Sequence, residues 1–210
     1  MIFTEPATLL TDYALGVLTA VLGVRLVRRG GALRQTAVTL WGTSFLVTSV
    51  GAICGGTYHG FTSQLGAWGS AALWKTSVYA IGLGSVLLVF ATLVATISPP
   101  LRFWLLAVAL VKAVFYAAWM TTHDDFKYVI YAYVSDMLAV LLLHGWRGLR
   151  EKEKDARWIV AGMGVSFLGA AVQQSGVGLH RHFNHNDLYH TIQALGFVFL
   201  HKGGCFLRDR

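Results

Sequence analysis

The sequence predicts an all-α membrane protein, a bundle of seven transmembrane helices. Of its 210 residues, 55% are hydrophobic and only 13% are charged, with a mean hydropathy of +0.57, whereas about a quarter of the residues of a soluble domain are charged. The apolar residues form long runs without the alternation of barrel strands. The net charge of +7 does not indicate a nucleic-acid partner, because the basic residues lie between the apolar runs, where they orient a membrane protein.

Each apolar run is long enough, or nearly so, to cross a hydrocarbon core of about 30 Å at 1.5 Å per residue. No linker or internal repeat interrupts the series, so residues 1–210 form a single integral membrane domain. The predicted spans are residues 8–27, 33–59, 70–97, 101–120, 126–143, 158–177 and 187–206.

Local signals support the limits of these spans. We expect the first to be a retained helix and not a signal peptide, because Glu5 and Asp12 stand where a basic segment would precede such a peptide. The third ends at Ser98-Pro99-Pro100, since proline lacks a backbone donor and disfavours helix before it. The charged residues 147–157 are expected to form a solvated loop between the fifth and sixth spans, with a contact to lipid headgroups as the alternative.

The basic residues predict an orientation. Thirteen of the 17 Lys and Arg residues fall in the first, third and fifth connections and at the C-terminus. Basic residues favour the cytoplasmic side, so we expect the N-terminus outside and the C-terminus in the cytoplasm. In a bacterial inner membrane, the opposite face would look into the periplasm.

Six of the eight histidines fall at the predicted outer face, with four of them between His180 and His190; His144 and His201 are expected to be polar residues at the cytoplasmic interface. In the outer cluster, Asp187 and His190 are spaced to share a helix face, and imidazole with carboxylate suits zinc. Either Asn184 or Asn186 could cap the start of the last helix, and the cap is the expected role of Asn184. Asp187 is either a first-turn acid stabilised by the helix dipole or a site residue.

Several further ionisable residues lie at membrane depth and need partners. His59 closes the second span beside glycines, and the start of the last span offers partners at the same depth. Asp12 with Lys75, and Asp136 with Lys112, are feasible ion pairs; the alternative is a polar cavity that contacts a substrate.

With Tyr58-His59 ending the second span and Asn186-Asp187-Leu188-Tyr189-His190 opening the last, the chain resembles the alkaline ceramidase and progestin/adiponectin receptor superfamily of seven-helix membrane hydrolases, often called CREST, and especially a bacterial branch of it. The sequence departs from the family pattern at three points. Asn186 replaces the first histidine of the last-helix motif, Gly55 replaces a serine, and no aspartate stands near Lys75 at the start of the third span.

The resemblance implies a zinc site held by His59 and His190 and completed by His185 or Asp187. It further implies that zinc activates a water molecule and polarises the carbonyl of a lipid amide or ester, with Asp187 taking the proton. Tyr58, Lys75 and Asn186 would contact the membrane lipid that serves as substrate. The alternative is a non-catalytic protein that binds a lipid or small ligand, with the histidines in a polar network or around a structural metal.

Overall fold

A computed structural model describes residues 4–180 and 183–210; His182 of the predicted histidine cluster, with Arg181 and residues 1–3, lies outside this range. The described residues confirm the all-helical prediction. They form six helices, which are α1 (Pro6–Leu33), α2 (Thr36–Thr96), α3 (Pro99–Thr122), α4 (Phe126–Glu151), α5 (Lys154–Ser175) and α6 (His185–Gly204).

The described chain has six helices where the sequence predicts seven, because the second and third predicted spans both belong to α2. This 61-residue helix is interrupted at Gly66, with φ 66° and ψ 172°, a conformation that glycine adopts without a steric penalty. Its first arm (36–65) and second arm (67–96) pack against each other. Ser77 Oγ donates to the Gly51 carbonyl at 2.9 Å, and the rings of Tyr58 and Trp74 lie 5.3 Å apart. The chain therefore reverses direction at Gly66 without a loop.

Five of the described helices, α1 to α5, are long and apolar enough to cross a membrane. The predicted last span, residues 187–206, corresponds to α6, which is not among the five. Its sequence includes Asp187, His190, Gln193, His201 and Lys202, and these polar residues lower its hydropathy.

The core places the candidate site at one end of the bundle. Trp41 and Phe45 of the first arm of α2 are fully buried. Trp41 Nε1 donates to the Leu200 carbonyl at 3.1 Å, and Phe45 packs edge-to-face on Phe197 with ring centroids 4.8 Å apart. These contacts hold α6 beside α2, and α1 packs against both. The starts of α1 and α6 therefore lie at the same end of the bundle as Gly66, and this end is called here the site end. The opposite end, where α1 and α6 end, is called the basic end.

One of the two predicted ion pairs is confirmed and the other is wrong. Lys112 contacts Asp136, whose other carboxylate oxygen accepts from Ser85 Oγ at 2.7 Å. Lys75 does not reach Asp12; its ammonium lies 2.7 Å from Asp124 Oδ1 and donates to the Met120 carbonyl. The second arm of α2 brings Lys75 to the end of α3, where the last carbonyls of that helix lack intrahelical partners.

The prediction that His144 lies at the interface is wrong, as is the prediction of a loop over residues 147–157. The His144 side chain has no exposed surface, and its Nδ1 lies 3.2 Å from Asp155 Oδ2. Arg147, also buried, donates to the Ala95 carbonyl at 3.0 Å. Helix α4 continues to Glu151 and α5 begins at Lys154, because charged residues of this segment find buried partners in the bundle.

Candidate functional site

A cavity opens inside the bundle towards the site end. It has a volume of about 100 Å³, several times the ~15 Å³ needed for one water molecule. Residues from α1, both arms of α2, α4 and α6 line it. Its carboxylate and imidazole lining residues are Asp12, His59 and His190; much of the remaining wall is apolar or aromatic, including Leu15, Trp74, Ile81, Leu88, Phe126, Tyr189 and Phe197.

The central contact of the site joins α1 to α6. Asp12 lies about two turns into α1 and His190 lies in the second turn of α6, and the two side chains are 7% and 10% exposed. His190 Nε2 lies 3.2 Å from Asp12 Oδ1, and Thr11 Oγ1 lies 3.1 Å from His190 Nδ1. Both ring nitrogens of this buried imidazole therefore have partners, as buried polar groups require.

His59 reaches the same cavity from the first arm of α2. Its Nδ1 lies 3.5 Å from Glu5 Oε2, and Thr8 Oγ1 donates to the same carboxylate oxygen at 3.1 Å. The backbone N–H of Thr4 donates to the Gly60 carbonyl at 3.1 Å. These contacts fasten the start of α1 beside His59, so that two imidazoles and one carboxylate from three helix segments line one cavity.

Asp187 is buried in the first turn of α6, where it forms a capping box with Asn184. Asn184 Oδ1 accepts from the backbone N–H groups of Asn186 at 2.8 Å and Asp187 at 3.3 Å, and Asp187 Oδ2 accepts from the Asn184 N–H at 2.7 Å. The predicted N-cap is thus confirmed. The other carboxylate oxygen, Oδ1, is buried and finds no hydrogen-bond partner among the described residues.

The remaining predicted site residues do not line the cavity in the described structure. Tyr58 packs on His59, with ring centroids 5.6 Å apart, and on Trp74. Lys75 is held by Asp124. His185 and Asn186 are half-buried in the first turn of α6.

Within residues 4–180 and 183–210, no group of three or more His, Cys, Asp or Glu side chains stands close enough to hold a metal ion. The donor types at the cavity suit zinc, and the unpartnered Oδ1 of Asp187 is a further oxygen donor. However, the contacts of His190 with Asp12 and Thr11 occupy both of its ring nitrogens. The described arrangement is therefore a polar network and not an assembled ligand set.

Sequence reasoning missed two features of the site. It paired Asp12 with Lys75, although His190 lies at the same predicted membrane depth and is an equally suitable partner. It also left Ser77 without a role, yet a Cβ atom added to Gly55 would lie 3.2 Å from Ser77 Oγ and 3.7 Å from Asp12 Oδ2. A serine hydroxyl from the second arm thus faces the glycine of the first arm, a proximity that no local sequence signal reports.

Comparison with known proteins places the chain in a family. A family of unknown function, DUF6962, matches residues 7–209, which is nearly the whole chain. No curated protein and no solved structure matches the chain. The chain belongs to the DUF6962 family.

Proposed function

We propose that this member of the DUF6962 family is an integral membrane protein that binds a lipid-like amphiphile inside its helical bundle. The polar group of the ligand lies at Asp12, His59 and His190, and its apolar part extends along the cavity towards Leu88 and Phe197. The observation that carries this proposal is the cavity itself, which has titratable groups at the site end and mostly apolar walls beyond them.

The chemistry of the walls supports an amphiphile as the ligand. Binding sites for small molecules are mostly apolar, with a few polar groups that fix the orientation of the ligand. Asp12 and His190 are both buried and already paired, so they are preorganised to exchange hydrogen bonds with a polar group. A membrane lipid meets both requirements and is present at high concentration around the protein.

We also propose that the chain crosses the membrane seven times. The reversal at Gly66 makes the two arms of α2 separate crossings, and α6 becomes the last crossing, shielded by α1, α2 and α5. With seven crossings and most basic residues at one end, the N-terminus and the site end lie outside the cytoplasm. In a bacterial inner membrane the cavity would open near the periplasmic surface.

The proposal can be tested with a substitution that fills the polar end of the cavity. In Gly55→Leu, the new side chain starts 3.7 Å from Asp12 Oδ2 and extends into the lining. The matched control is Gly164→Leu on α5, where an added Cβ meets no atom within 4 Å. Each full-length protein is purified in detergent, and its bound lipids are extracted and identified by mass spectrometry.

We expect wild type and Gly164→Leu to retain the same lipid at a fixed ratio to protein, and Gly55→Leu to lose most of it. Equal retention by all three proteins, or no bound lipid in any of them after reconstitution with a bacterial lipid extract, would overturn the proposal.

A second candidate is a zinc-dependent hydrolase of a lipid amide or ester, which is the function that the CREST resemblance implies. The observation that favours it is the presence of His59, His190 and Asp12 around one cavity. A metal there would supply polarisation of the carbonyl group. Asp187, next to the site and with one free carboxylate oxygen, would accept the proton, and Ser77 would occupy the place of the family's helix-two serine.

Elemental analysis tests this candidate on wild type, His59→Ala and His190→Ala, with His123→Ala as a control outside the cavity. The hydrolase requires a stoichiometric transition metal in wild type and the control that both cavity variants lose. It also requires fatty acid release from lipid extracts that a chelator abolishes. Absence of metal in wild type would eliminate this candidate and leave the binding proposal standing.

A further inference from the structure

The basic end of the bundle carries a group of cationic side chains at the seam between α1 and α6. Arg25 and Arg29 are exposed and stand one turn apart on α1, on either side of the buried Leu26. Arg29 Nε donates to the Cys205 carbonyl at 3.0 Å. His201 of α6 is half-buried, and its Nε2 lies 4.0 Å from the Sγ atom of the same Cys205. Arg29 and His201 thus both contact Cys205 at the end of α6, and Arg25 lies one turn before Arg29 on α1.

The acidic residues at this end are engaged elsewhere. Asp209 accepts from the backbone N–H groups of Thr36 and Ala37 at 2.8 Å each, which caps the start of α2. Glu151, Glu153 and Asp155 lie within 4 Å of other basic groups, namely Arg147, Arg210 and His144. In the described chain, none of these four carboxylates is paired with Arg25 or Arg29. The cluster at the seam therefore lacks an anion from the protein.

The depth of the cluster identifies the missing anion. Nineteen residues of α1, Pro6 to Val24, precede Arg25, a helix length of about 28 Å that matches the hydrocarbon thickness of about 30 Å. At the same end, Lys202 Nζ lies 4.6 Å from the ring centroid of Trp158, and tryptophan is enriched at the level of lipid headgroups. Arg25 and Arg29 thus stand at the level of lipid phosphates.

From these observations we infer that the seam between α1 and α6 is a binding site for the headgroup of an anionic phospholipid, held by Arg25, Arg29 and His201. The planar guanidinium presents paired donors that match phosphate oxygens. The contact of Arg29 with Cys205 uses Nε and leaves its terminal nitrogens available for a lipid phosphate. This site lies at the opposite end of the bundle from the cavity and does not depend on the cavity's ligand.

The test measures lipid binding to the full-length protein by native mass spectrometry. Delipidated protein is titrated with phosphatidylglycerol and, separately, with phosphatidylcholine of the same acyl chains. The variant R25Q/R29Q removes two charges at the seam, and K152Q/K154Q removes two charges at the same end but between α4 and α5. A charge-preserving variant, R25K/R29K, and the single variant H201Q complete the set.

We expect wild type to bind phosphatidylglycerol at least tenfold more tightly than phosphatidylcholine. R25Q/R29Q should lose most of this preference, H201Q part of it, and K152Q/K154Q little; R25K/R29K should keep more of it than R25Q/R29Q. If R25Q/R29Q does not fold, R25Q and H201Q decide in its place.

Three results would overturn the inference: no preference for phosphatidylglycerol in wild type, an equal loss in K152Q/K154Q, or an unchanged preference in the seam variants. Binding of inorganic phosphate alone as tightly as phosphatidylglycerol would also overturn it, because the site would then bind free phosphate and not a lipid.

Discussion

Asp12 and His190 are nearly a full chain length apart in sequence, yet Asp12 Oδ1 lies 3.2 Å from His190 Nε2. The contact joins the first helix to the last at the polar end of the cavity. Because both side chains are buried, the carboxylate of Asp12 and the imidazole of His190 each provide a polar partner that the other would otherwise lack. The pair is therefore important for stability.

Replacing His190 with alanine is expected to lower the free energy of unfolding by about 1–3 kcal/mol, because Asp12 loses its buried partner. Asp12→Leu should have a similar effect, and the double variant D12L/H190A should lose less than the sum of the two. Thermal and denaturant unfolding in detergent measures these losses. His123→Ala, outside the cavity, is the control; an additive double variant would show that the pair is not coupled.

Removing one partner of the Lys112–Asp136 pair should lower the free energy of unfolding more than the loss of His190 does. Lys112→Met leaves Asp136 buried with only Ser85 Oγ as its side-chain partner, and loss of one partner of a buried ion pair costs about 3–5 kcal/mol. The double variant K112M/D136L removes both charges and should recover much of the stability. Equilibrium unfolding of the three proteins checks this order, and it is contradicted if the double variant is the least stable.

His144 is expected to be essential for the basic end of the bundle. His144→Ala removes a fully buried side chain that lies 3.2 Å from Asp155 and packs edge-to-face on Trp41 with centroids 5.9 Å apart. The loss of packing and of the buried partner predicts a destabilisation of about 3 kcal/mol. His201→Ala, at a half-buried position of the same end, should cost clearly less. Unfolding midpoints compare the two, and equal losses would contradict the assigned burial.

Gly66 and Gly31 form a matched pair for testing the reversal of α2. An added Cβ at either position meets no atom within 4 Å, so only the backbone conformation distinguishes them. Gly66→Ala should destabilise by about 1–3 kcal/mol because its φ of 66° and ψ of 172° lie in a region that only glycine adopts readily, whereas Gly31→Ala, inside α1, should stabilise by up to about 1 kcal/mol. Unfolding in detergent measures both changes, and a neutral Gly66→Ala would show that the backbone there relaxes.

Hydropathy and spacing predicted the helical class, the approximate helix positions, the Asn184 cap and the Lys112–Asp136 pair. Each of these depends on residues that are local in sequence or on membrane depth. The partner of Asp12 could not be predicted, since depth does not determine which face of α1 turns towards α6. The burial of His144 was missed for a related reason, because its partners Asp155 and Trp41 come together only when α2, α4 and α5 pack. The reversal at Gly66 depends on one backbone dihedral, which hydropathy does not report.

The reversal at Gly66 couples the membrane insertion of the two arms of α2. If one arm crossed the bilayer alone, the hydrogen bond between Ser77 and Gly51 could not form. Only Gly66 separates the two arms, so the chain has no spacer that would let them insert at different times. The two arms should therefore insert during synthesis as a preformed hairpin. A soluble peptide inserted after Gly66 would separate the insertion of the first arm from that of the second. We expect such an insertion to impair assembly of the bundle.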